Sequence, residues 1–244
     1  MALETQPAKV TGLRTSLRAL IFDVDGTLYK AGPVRRAILR RLIFATMLHP
    51  AATLKTIRIL RAYRRAQGLL RVANAPDGDL ELAQVNLAAR ISRASPQEVS
   101  IAVERWMEEA PLDAICEAIR PGLVRLLEKA KAEGLRLGIC SDYRPERKLR
   151  ALGILEYFDV IVCAQQESVG RFKPHPRGLA VTLSRLAVGC HKAAFIGDRP
   201  ELDHKAASAA GLTCFIVSSR KPHNCNTWKS VADFDELRAA LFPN

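Results

Sequence analysis

The chain has 244 residues, 48% apolar and only 6% aromatic, which disfavours an all-β sandwich and suits an α/β or α protein rich in Ala, Leu and Val. Its 37 Lys and Arg against 25 Asp and Glu give a formal charge of +12, pointing to anionic rather than cationic partners. No stretch approaches 18 uninterrupted apolar residues and the first 19 residues carry no apolar h-region, so neither a spanning helix nor a signal peptide is expected.

Residues 1–16, polar and punctuated by Pro7 and Gly12, read as a flexible tail. The run Leu20-Ile21-Phe22 then ends in Asp23-Val24-Asp25-Gly26-Thr27-Leu28. A short apolar strand closing on two acids and a Gly-Thr turn puts both carboxylates at a strand's carboxyl end, where open α/β sheets place their chemistry. The first acid suits a nucleophile, because carboxylates form covalent phosphoryl intermediates. The second could protonate a leaving oxygen and later deprotonate water.

From Lys30 to Arg71 there are eleven Lys or Arg and no Asp or Glu. The spacing is helical on both sides of a break at His49-Pro50, since the residue before proline is pushed out of the α region. Val34, Ile38, Leu42 and Ile43 interleave with arginines in the first helix, and Leu54, Ile57, Leu60 and Tyr63 do so in the second. Each helix therefore has an apolar face backed by a basic one. Asn74 to Asp79 is a turn cluster from which Asp79 could cap a helix over Leu80 to Ile91. Ser95-Pro96-Gln97-Glu98 opens another helix, running through Val99 to Glu109. Shorter helical pieces follow over Leu112 to Ile119 and from Pro121-Gly122 to Glu133.

Beyond Gly134 the apolar runs Leu135–Cys140, Val160–Ala164, Ala193–Gly197 and Thr213–Val217 alternate with amphipathic segments near 145–152, 176–187 and 203–210. That alternation predicts a doubly wound parallel sheet with helices on both faces. Asp233 to Leu241 reads as a terminal helix. The first strand is cut off from the others by an all-helical insertion of about 85 residues, far longer than an ordinary crossover. The expected organisation is a Rossmann-like core over 17–30 and 118–244, with a helical unit over 31–117. The cysteines form no C-x-x-C pair, and Cys140, Cys163 and Cys214 fall in apolar runs as small buried hydrophobes. A reducing, cytoplasmic setting is the expectation.

Each later strand ends in a polar group. Strand 2 ends in Ser141-Asp142, strand 3 is followed by Phe172-Lys173-Pro174-His175-Pro176, and strand 4 ends in Gly197-Asp198-Arg199-Pro200-Glu201-Leu202-Asp203. These residues, in this order, resemble the four motifs of the haloacid dehalogenase superfamily, with Ala206 to Gly211 matching its phosphoglycolate-phosphatase-like branch. The resemblance implies Asp23 as nucleophile and Asp25 as general acid/base, with Thr27, Ser141 and Lys173 binding phosphate. It implies Mg²⁺ held by Asp23, Asp198, the Asp25 backbone carbonyl and, as ligand or supporting partner, Asp203. It also implies that the insertion is a cap over the site. Two departures stand out: Asp142 occupies a place where the family often has Asn or Gly, and either Glu201 or Asp203 could meet the metal.

The implied activity is hydrolysis of a phosphorylated small molecule through an aspartyl-phosphate. A phosphomutase would keep the same acids, and a non-enzymatic membrane-associated binding protein would keep only the fold. The basic insertion is read as a solvated face or as a surface for anionic membrane or a lipid-linked phosphate, which would place the protein at the membrane periphery. Nucleic acid is disfavoured, because Tyr63 is the one aromatic among the second helix's basic residues. Trp106 falls in a helical apolar pattern and is expected in the core. No role is derived for Trp228.

Overall fold

The computed structural model describes residues 17–73, 78–218 and 228–243; the tail and most of the Asn74-to-Asp79 turn cluster lie outside them. Strand β1 (Ala19–Phe22) enters a block of helices: α1 (Ala31–Leu48), α2 (Pro50–Val72), α3 (Leu80–Ser92), α4 (Pro96–Val103) and α5 (Leu112–Cys116), with a π-helical turn over Glu104–Glu109. After α6 (Leu123–Ala132) come β2 (Arg136–Ser141), α7 (Glu146–Ala151), β3 (Val160–Cys163), α8 (Arg177–Leu186) and β4 (Ala193–Gly197). The chain continues with α9 (Lys205–Ala209), β5 (Thr213–Val217), β6 (Lys229–Val231) and α10 (Phe234–Leu241).

The strands form one six-stranded sheet, ordered β3-β2-β1-β4-β5-β6, with every pairing parallel. β1 is central, Ala19 lying level with Arg136 on one side and Ala193 on the other. Successive side chains of a strand face opposite ways, so Leu20 and Phe22 enter one core with α6 and α10. Ala19 and Ile21 enter a second core with α8 and α9. All four are fully buried, which is why β1 reads as a continuous apolar run rather than an alternating one. In α6 the buried Leu123, Leu126, Leu127 and Ala130 recur at helical spacing, each leucine contributing about 2 kcal/mol of burial before entropy is counted.

The chain leaves β1 for β2 and β3 on one side and returns to β4, β5 and β6 on the other. The carboxyl ends of β1 and β4 therefore flank a topological switch point, the crevice where such sheets bind ligands.

The inserted helices pack around a third core of Ile59, Tyr63, Ala66, Val85, Ala88 and Val99. Asp79 caps α3 through Leu82 N–H, and Ser95 with Glu98 forms a reciprocal capping box on α4. Ile115 packs instead with the sheet-side core. Two expectations change. The edge strand β6 was not anticipated, since it has three residues, one a lysine; Trp228 just before it packs on the second core. Trp106 is not in a core: it is half-buried in the wall of a cavity.

Candidate active site

Asp23 continues the β1 ladder by donating its N–H to Ile196 O at 2.9 Å, and the chain then turns sharply. Gly26 makes that turn at φ +93°, and a Cβ there would lie 2.3 Å from Asp198 Oδ2. Only glycine lets the β1 and β4 loops close so tightly. Arg120 fastens the turn by donating to Gly26 O at 3.1 and 2.7 Å.

Asp23 is 2% exposed. Its Oδ1 accepts from Lys173 Nζ at 2.5 Å and its Oδ2 from the Thr27 hydroxyl at 3.0 Å. The same ammonium donates to Asp203 Oδ1 at 2.6 Å. Asp203 is fully buried, and its Oδ2 accepts the backbone N–H groups of Asp198 and Arg199 at 3.0 and 2.9 Å. Lys173 is thus a buried cation between two carboxylates; burial opposes its charge, yet Asp203 and Asp23 hold its pKa well above the ordinary lysine range.

Asp25, partly exposed, is held differently. Lys148 Nζ donates to its two oxygens at 2.6 and 2.8 Å, and the Tyr29 hydroxyl donates to Oδ1. Burial pushes against ionisation, but Lys148 and Tyr29 outweigh it and hold Asp25 below the usual carboxylate range. Burial and the Asp25 charge keep the Tyr29 phenol protonated.

Asp23, Asp198 and Asp203 each offer a carboxylate oxygen, all within 4.8 Å of one another. Burial raises Asp23 to about 7 against the pull of Lys173, with Asp203 and Asp198 adding to the rise. Burial and the neighbouring Asp203 raise Asp198 to about 6. Asp198 Oδ1 is buried with no hydrogen-bond partner among the described residues, the nearest cation being Arg199 Nε at 3.7 Å. Crowded acids with one orphaned oxygen and only oxygen donors fit a hard divalent cation.

Residues 17–211 match the family model described as haloacid dehalogenase-like hydrolase. The chain belongs to that family. Among curated relatives it is 28% identical, over 84% of its length and 82% of the other, to a phosphoglycolate phosphatase of Rhodospirillum rubrum. Its fold matches a 2-haloacid dehalogenase structure from Pseudomonas syringae pv. Tomato at TM-score 0.65 and 21% identity, covering 92% of this chain and 98% of that one. CbbY from Rhodobacter sphaeroides in complex with phosphate matches at TM-score 0.59 and 23% identity, with 91% and 96% covered.

In this family member the residues singled out from sequence converge at the switch point. Asp23, Asp25, Ser141 and Asp198 line a cavity of about 690 Å³. Thr27, Lys173 and Asp203 stand behind them, 0%, 3% and 0% exposed. Thr27 spends its hydroxyl on Asp23, whereas among the described residues the Ser141 oxygen accepts only a 3.3 Å bond from Tyr143 N–H. Of the two acids left open in the fourth motif, Asp203 lies in the carboxylate cluster and Glu201 is exposed. The Asp25 carboxylate is outside that cluster. The Asp142 charge is matched: Oδ2 pairs with Arg71 at 2.5 Å and accepts from Gln67 Nε2 at 3.3 Å, and Oδ1 accepts Lys173 N–H at 3.0 Å.

Four contributors escaped sequence reading. Tyr29 sits four residues after Asp25, the single cue that could have found it. Lys148, Arg120 and Arg199 are ordinary basic residues in helices and turns, and no local signal separates them from solvated ones. Among the described residues no helix is long and apolar enough to cross a membrane.

Proposed function

We propose that this hydrolase cleaves a phosphate monoester through an aspartyl-phosphate, with Asp23 as nucleophile and Asp25 as general acid/base. The observation carrying the reading is the setting of Asp23: buried at the switch point, charge-paired by Lys173 and 4.8 Å or less from Asp198 and Asp203. The phosphoglycolate phosphatase from R. rubrum supports the substrate class.

An Asp23 oxygen attacks phosphorus, the bond to the ester oxygen breaks, and that oxygen takes a proton from Asp25. Water, deprotonated by Asp25, then attacks phosphorus, releasing inorganic phosphate and freeing Asp23. In its resting pairing with Lys148, Asp25 is the carboxylate that the second step needs. It must take up a proton before the first. A carboxylate approaching a phosphate within about 4 Å meets roughly 4 kcal/mol of repulsion per unit charge pair at an effective dielectric near 20. Lys173 offsets part of this, and Ser141 with the backbone N–H groups after it offers donors to the phosphoryl oxygens. Mg²⁺, held by Asp23, Asp198, Asp203 and the Asp25 carbonyl, would supply further positive charge there. The helices over 31–117 act as a cap whose closure excludes water.

Phosphate release from a panel of phosphomonoesters, with Mg²⁺ and with EDTA, tests the reading. Loss of turnover in EDTA and in Asp23→Asn, with the melting transition kept, supports it. Turnover retained in Asp23→Asn overturns it, and an isomerised sugar phosphate in place of free phosphate assigns a mutase instead.

A further inference from the structure

The 690 Å³ cavity does not end at the acids. It continues as a trough between α1 and α2, closed on one side by the π-helical turn. Along α1 the lining residues Val34, Ile38, Leu42 and Thr46 recur every fourth position, a stripe about 18 Å long at 1.5 Å per residue. α1 begins beside the site, one residue after Lys30. α2 runs the other way and ends at the site, where Arg71 meets Asp142.

That polarity sorts the walls. Near the acids the α2 side presents Gln67 and Arg71; further out it presents Leu60 and Ile57, on a level with Ile38 and Leu42 of the antiparallel α1, and Trp106, Met107 and Glu108 of the π-helical turn complete the lining. Arg61 and Arg64 edge the trough with no carboxylate partner among the described residues. Where α1 turns into α2, Met47, four residues after Ile43, and Leu54, three before Ile57, continue the two lining rows and are exposed at 78% and 61%. A small polar ester would fill only the phosphate end and leave these walls wet. Apolar walls leading from a few placed polar groups are how ligands with an apolar body are held.

We infer that the phosphomonoester cleaved here is amphiphilic, its phosphate at Asp23 and a long apolar chain lying in the trough between α1 and α2. The inference rests on the phosphatase reading. A membrane lipid and a dispersed prenyl or alkyl phosphate share this chemistry.

Straight-chain alkylphosphonates of two to ten carbons test it by calorimetry with Mg²⁺ present, since their carbon–phosphorus bond survives the reaction and binding is read without turnover. Affinity should rise about three- to four-fold per methylene until the trough is filled, giving at least a hundred-fold between ethyl and decyl. Leu42→Gln should flatten that slope, with circular dichroism and the melting transition confirming the fold. A difference under about three-fold across the series in the wild-type protein overturns the inference. Phosphatase assays with the matching alkyl phosphates run alongside: no hydrolysis of any member sinks the activity, whereas hydrolysis without a chain-length trend sinks only the trough. Turnover of decyl phosphate from vesicles assigns a bilayer source, and turnover only of dispersed monomer a soluble one; both outcomes support the chain site.

Discussion

Replacing Asp198 by Asn should make the metal-free protein more stable while abolishing its response to Mg²⁺. Asp198 has one buried oxygen without a partner and sits against Gly26 and Asp203. Burial and Asp203 raise its pKa from 3.8 to about 6. A raised folded pKa contributes stability that is present below the unfolded value and lost as pH rises through the folded one. At pH 8 the ionised group therefore costs stability: two pKa units are about 3 kcal/mol, reduced to about 1–2 kcal/mol because part of the side chain meets solvent. Asn keeps the shape and removes the charge. For a chain of this size a gain of 1–2 kcal/mol is roughly 2–8 °C in Tm. Scanning calorimetry without metal should show that gain at pH 8, shrinking by pH 5 as wild-type Asp198 takes up its proton. With 10 mM Mg²⁺ the wild type should gain stability, more at pH 8 than at pH 5 because protons compete for the ligands, and Asp198→Asn should gain none. A metal-free variant that melts below the wild type at pH 8, or one that keeps the Mg²⁺ response, refutes the reasoning.

Lys173→Met leaves Asp23 and Asp203 buried without their shared cation, so about 3–5 kcal/mol should be lost; a Tm drop of roughly 10 °C at pH 8 is expected, and a drop under 2 °C counts against the pairing. Lys148→Met should move the acid limb of the kcat–pH profile upward, because the cation holding Asp25 ionised is gone; superimposable profiles would show Lys148 to be passive. Arg71→Ala removes the cation paired with Asp142 beside the proposed phosphate site and should raise KM about ten-fold, equivalent to about 1.4 kcal/mol. Adding Asp142→Asn should restore most of it, and a double variant no better than the single one denies the coupling.

One short motif puts its two acids in different surroundings. Asp23 points inward to Lys173 and the carboxylate cluster, and its pKa is pushed up. Asp25 faces the cavity, and Lys148 and Tyr29 keep it low. For the proposed roles each acid must change its state: a divalent cation at the cluster would favour the ionised Asp23 that attacks, and Asp25 must gain a proton before it can act as an acid. The Val24 between them is fully buried in the sheet-side core, which pins the turn that points them different ways.

Much of this molecule could be read along the chain. Strands buried on both faces announce themselves as unbroken apolar runs, and the polar residue ending a run lands at the carboxyl edge of a parallel sheet, so Asp23, Ser141 and Asp198 were legible there; Lys173, ten residues past β3, joined them only through the resemblance to the family motifs. Helix starts at Asp79 and Ser95 were legible because capping is a contact between residues three apart. The partners of those residues depend on segments distant in sequence. Lys148 reaches Asp25 across 123 positions and Arg71 reaches Asp142 across 71, and a basic residue's local sequence is the same whether it ends in water or against a buried acid. The short edge strand β6 escaped for a related reason, since its identity comes from pairing with β5 rather than from its own side chains. The apolar periodicity of α1 was visible from the start; that its stripe faces a cavity opening onto the acids, and not a core, is set by how α1, α2 and the turn at Trp106 pack together, which only folding decides.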